Sequence, residues 1–86
     1  MFILSQYGDA DNVALEENLK KNLKLLRKKK GLTQEVLAEK AELEYKYIQM
    51  LEGKSPPSAT LRTLAKLAKA LKLDPWHLIK PPKAIR

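Results

Sequence analysis

Leu15, Leu19, Leu23 and Leu26 recur at spacings of four, four and three, with Leu25 beside them, which marks one stripe of a helix. The stretch LEENLKKNLKLLRKKKG is therefore predicted to be a first helix closed by Gly31, with Asp11 or Asn12 capping its start. The Lys28-Lys29-Lys30 run suits the negative end of that helix's dipole, so it has a structural reason before a functional one. Thr33 is a good N-cap for a short second helix, QEVLAEKA, with Val36, Leu37 and Ala41 inward and Ala38 keeping the contact face small. A third helix begins near Glu44 and runs through YKYIQMLE to Gly53. Its inward positions are Ile48 and Leu51, with Tyr47 packed beside them.

The Pro-Pro of GKSPPSA removes amide donors and fixes φ, so this stretch is a rigid connector rather than a domain boundary. After a Thr60 or Ser58 cap, LRTLAKLAKAL places Leu61, Leu64, Leu67, Ala68 and Leu71 on one face of a fourth helix. Arg62, Lys66, Lys69 and Lys72 lie on the other. Asp74-Pro75 pairs a cap with a proline suited to a first helical position, and it starts a last turn, WHLI. In that turn Trp76 and Ile79 are expected to seal the bundle. This reading divides the chain into an N-terminal arm over 1–12, a domain over 13–80 and a basic tail over 81–86. Arm and tail lack periodicity and are expected to be mobile or ordered only by a partner.

Composition narrows the class. A chain of 86 residues, rich in Leu and Ala and with three Gly and one Phe, suits one small all-α domain. With no cysteine, disulfides and thiolate metal sites are excluded. The opening MFILSQYGD has no basic n-region, and no later run approaches the roughly 20 apolar residues of a membrane span, so a soluble, cytoplasmic protein is expected.

The net charge of +7 is unevenly spread. Residues 1–19 carry four acids and no bases, and 20–30 carry seven bases and no acids. Residues 31–53 carry five acids and two bases, and 54–86 carry eight bases and one acid. Basic flanks release counterions on meeting phosphates, which makes nucleic acid the leading partner class, while composition alone weighs a merely solvated lysine face about equally.

Catalysis lacks its parts. The one histidine, His77, sits in a short terminal turn, and there is no carboxylate pair in a pocket-forming context, no phosphate-cradling glycine loop and no metal-ligand cluster. A non-enzymatic protein without a cofactor is expected.

LKLLRKKKGLTQEVLAEKA, YIQMLEGK and TLRTLAKLAKALKLDPWHLI together resemble the Cro/C1-type (XRE family) helix-turn-helix domain over about residues 19–79. The resemblance implies a five-helix lambda-repressor-like bundle in which the second helix crosses the DNA backbone and the third enters the major groove. It also implies a repressor-like, sequence-specific transcriptional regulator that binds double-stranded DNA as a homodimer.

On the third helix, Tyr45, Lys46, Gln49 and Met50 avoid the core positions and are the candidates for base contacts. Thr33, Gln34, Lys54 and Ser55 are the candidates for phosphate contacts; Gln34 matches the family's glutamine at the start of the second helix. Arg27 and Glu52 match a family pair that ties the first helix to the third, and they are assigned to structure. The sequence departs from the pattern at Glu42, where glycine is usual in the turn, and at Glu44, which replaces a Ser or Thr cap. Glu44 is expected to cap the third helix with its carboxylate. The alternative function is an antitoxin or other protein-binding module whose apolar arm MFILSQY grips a toxin or another partner. Controller proteins of restriction-modification systems share the size and fold.

Overall fold

The structure, a computed structural model, describes the backbone of residues 2–82 and the side chains of residues 15–82. Five helices follow one another: α1 Phe2–Lys29, α2 Gln34–Ala41, α3 Tyr45–Leu51, α4 Leu61–Leu71 and α5 Trp76–Ile79. No strand occurs among the described residues. Leu19 and Leu23 of α1 meet Leu37 and Ala38 of α2, Ile48 and Leu51 of α3, Leu64, Leu67 and Leu71 of α4, and Leu78 of α5 in one core. Ala41 and Ala68 are buried in the same core. Small side chains there let backbones approach closely, which explains the alanines on the inward faces of α2 and α4.

Four expectations about packing are corrected. The helix that the leucine stripe places from Leu15 begins at Phe2, so α1 passes unbroken through the two proposed cap positions, Asp11 and Asn12. Val36, assigned inward, is 37% exposed, because Leu37, Ala38 and Ala41 already fill the buried stripe of α2. Leu61, assigned to the core, is 83% exposed: it is the first residue of α4 and precedes the turn that the bundle covers. Trp76 is 59% exposed, and Leu78 takes the sealing position instead. The part of the basic tail from 83 to 86 lies outside the described residues.

Three helix ends share one device. After α1, the Gly31 amide donates to Lys28 O and the Leu32 amide to Arg27 O. After α2, the Glu42 amide donates to Glu39 O and the Leu43 amide to Ala38 O; after α4, the Lys72 amide donates to Lys69 O and the Leu73 amide to Ala68 O. This is the Schellman pattern, with a left-handed residue followed by an apolar one. The left-handed residues are Gly31 (φ 72°), Glu42 (φ 58°) and Lys72 (φ 59°). Leu32, Leu43 and Leu73 follow them, and all three pack against the core. Burial of that leucine holds the turn even where the left-handed residue bears a side chain.

Polar groups hold the first helix to the last. Asn22 Nδ2 donates to Leu78 O at 3.0 Å and to Lys80 O at 2.8 Å, and Asn18 Nδ2 donates to Ile79 O at 3.1 Å. Both asparagines are buried, beside Leu19 and Leu23, and they satisfy carbonyls that α5, a single turn, leaves open.

Candidate nucleic-acid interface

Seven residues make α3, and burying Ile48 and Leu51 fixes which way the rest point. Tyr45, Lys46, Gln49 and Met50 are exposed, with Tyr45 and Met50 at 42% and 47%. Residues four apart are neighbours on a helix surface, so these four form one continuous strip of two long apolar groups, an amide and an ammonium. Tyr47 is half-buried against the core, as its place beside Ile48 suggests.

The start of α2 is built around Thr33, whose Oγ1 accepts the Val36 amide at 3.0 Å. Gln34 behaves differently from a free phosphate contact: its Nε2 donates to Glu52 Oε1 at 3.0 Å. Glu52 also receives Arg27 Nε at Oε2 (2.7 Å) and Arg27 Nη2 at Oε1 (2.9 Å), while Arg27 Nη1 donates to Leu32 O at 2.7 Å. One carboxylate thus joins α1, the start of α2 and the end of α3. The hydrogen bond to Glu52 pushes the Arg27 guanidinium above its ordinary pKa, with burial opposing and the charge attraction adding. An amide has two hydrogens, so Gln34 keeps one N–H to offer outward after orienting on Glu52.

Lys54 and Ser55 are exposed in the loop after α3. Gly53, just before them, leaves little room for a side chain, since an added Cβ would stand 3.1 Å from Gln49 O. Glu44 sits at the position before α3 but makes no side-chain cap bond, contrary to expectation; its carboxylate is exposed beside the helix start. Elsewhere, Lys40, Lys66, Lys69 and Lys72 border a groove between α2 and α4 that includes no residue of α3. Two features escaped sequence reasoning: the Gln34–Glu52 bond, and the asparagine pair, whose only sequence signal is two amides four apart beside the leucine stripe.

A family model described as helix-turn-helix matches residues 23–75, well over half of the chain. The chain belongs to the Cro/C1-type helix-turn-helix (XRE) family. No curated protein and no solved structure matches the chain. As a member of this family it is a DNA-binding helix-turn-helix regulator, of a domain type that is not enzymatic. In the helix-turn-helix unit, α2 and α3 are joined by the turn at Glu42–Glu44, and the family's glycine position in that turn is the left-handed Glu42. Among the described residues no group of three or more His, Cys, Asp or Glu could hold a metal ion, and no helix is long and apolar enough to cross a membrane.

Proposed function

We propose that this helix-turn-helix protein is a sequence-specific, repressor-like transcriptional regulator that lays α3 in the major groove of operator DNA. The observation that carries this reading is the exposed strip Tyr45, Lys46, Gln49 and Met50 on a helix whose opposite face is locked into the core. Gln49 offers a donor and an acceptor to adenine, Lys46 donates to guanine, and Tyr45 and Met50 touch thymine methyls. Thr33, the outward N–H of Gln34 and the first amides of α2 meet one phosphate, and Lys54 and Ser55 meet another. Two copies act on half-sites about one helical turn apart.

Affinity and specificity then come from different residues. The lysines of α1 and of the 54–86 segment supply the salt-dependent attraction, while the strip on α3 reads bases. Glu44, beside the groove, accepts from cytosine N4 or repels sites that offer only acceptors there.

The test is a titration of the full chain with the duplex upstream of its own gene and with a scrambled duplex across a salt series. Preferential binding of the upstream duplex, with log K falling by roughly 0.9 per neutralised phosphate for each log unit of salt, supports the reading. Equal, weak binding to both duplexes at every salt concentration overturns it.

A further inference from the structure

The DNA-facing strip is not the only apolar surface left open. Leu15 is 45% exposed and Leu61 is 83% exposed, and both line one groove with Leu19, Leu64 and Ile79. No residue of α2 or α3 contributes to it. Its volume of about 210 Å3 is under the roughly 300–1,000 Å3 of small-molecule sites, and its walls are mostly apolar, so it is shaped for a few side chains rather than for a metabolite. The carboxylate at its edge, Glu16, is already engaged: Ser58 Oγ donates to Glu16 Oε2 at 2.9 Å.

We infer that this groove receives residues 2–14 of a second copy of the chain, so that two molecules exchange the first half of α1. The inference rests on the homodimer of the proposed function and names its interface. Because α1 runs through the segment that sequence alone leaves without periodicity, Ile3, Tyr7, Ala10 and Ala14 fall at helical spacings of four, three and four, with Phe2, Leu4 and Val13 among them. That segment cannot fill its own groove. α1 is one helix from Phe2 onward, and thirteen residues at about 1.5 Å each carry its start some 20 Å past Leu15, where the groove wall begins. A neighbouring molecule meets no such restriction.

Charge agrees with this occupant. Residues 2–14 carry two acids, Asp9 and Asp11, and no bases, whereas Arg62 and Lys80 directly follow the groove residues Leu61 and Ile79. Each copy has one such segment and one such groove, so a reciprocal exchange uses both and closes with two-fold symmetry. The two α3 helices remain free for DNA.

The experiment compares wild type, Leu61→Glu and Tyr7→Glu by sedimentation over a concentration series. It is joined to crosslinking of Leu61→Cys chains mixed with Tyr7→Cys chains by a short bismaleimide, which is unambiguous because the native chain has no cysteine. A wild-type dimer, a dissociation constant raised at least about tenfold in each glutamate variant, and covalent dimers in the mixed sample are expected. Since Leu61 is 83% exposed, Leu61→Glu should keep its helical signal. A monomeric wild type, a dimer indifferent to both glutamates, or linkage confined to Leu61→Cys chains alone would overturn the inference. Titration with a single half-site separates this from DNA binding: monomers that still prefer the half-site leave the regulator reading standing.

Discussion

Arg27 and Glu52 grip each other at two points, Nε to Oε2 at 2.7 Å and Nη2 to Oε1 at 2.9 Å, with both residues buried. Two parallel N–H···O bonds fix orientation as well as distance, so α1 and the end of α3 are held at a set angle. Removing either partner strands the other charge away from water. Arg27→Ala or Glu52→Ala is expected to lower stability by about 3–5 kcal/mol in urea unfolding, while Arg27→Met with Glu52→Leu recovers most of the loss. Single-variant losses under about 1 kcal/mol would show the pair to act as a surface ion pair. On the arginine side the pair is insensitive to pH in the ordinary range. Its folded pKa is raised, so its contribution is complete below the unfolded value and is lost only as pH climbs past that of an ordinary guanidinium.

Gln49 and Lys54 separate reading from holding. Gln49→Ala should reduce discrimination between the preferred duplex and its point variants by about 1–3 kcal/mol, mainly at one base pair. Lys54→Ala should weaken all duplexes alike and reduce the salt slope by about one. Swapped phenotypes would place α3 in a different register on DNA.

Glu42 and Lys72 occupy conformations in which a side chain is crowded, and Gly31 occupies the same conformation without one. Glu42→Gly and Lys72→Gly should each stabilise by about 0.5–1 kcal/mol, the steric relief being partly offset by glycine's extra freedom when unfolded. Gly31→Ala should cost about 1–2 kcal/mol from backbone strain alone, because an added Cβ there meets nothing within 4 Å. Thermal unfolding of the three variants checks the set, and a destabilised Glu42→Gly would contradict it.

Asn22 serves two carbonyls at once. Asn22→Ala is expected to cost about 1–3 kcal/mol and to speed hydrogen exchange at the Leu78 and Lys80 amides. Asn22→Asp should be worse, since an acceptor then faces acceptors. Unchanged exchange at α5 would mean that packing of Leu78 alone seats that turn.

What the residues reveal without a structure depends on how local the cause is. Ile48 and Leu51, three apart, are enough to turn Lys46, Gln49 and Met50 outward, so the exposed strip of α3 is readable from periodicity. Thr60 caps α4 through its own Oγ1, which accepts the Thr63 amide at 3.1 Å, and that too is a local rule. Leu61 and Trp76 mislead because periodicity assigns a face but not whether a neighbour reaches that far along the helix. Glu42 looks anomalous when glycine is sought at the turn. The residue that stabilises the turn is the next one, Leu43, half-buried against the core, and a leucine likewise follows Gly31 and Lys72. Gln34 and the asparagines could not be placed from sequence, since their partners lie 18 and 56 to 61 residues away.

The asparagine clasp also sets a timetable for the chain as it is made. The partners of the Arg27 to Glu52 link, like the turn at Glu42, lie within residues 27 to 52 and are made early. Asn18 and Asn22 must wait for residues 78 to 80 before their amides are satisfied. Until those residues emerge, the two amides on the inner face of α1 can bond only water, so seating of α5 follows the link between α1 and α3 in the order of the chain.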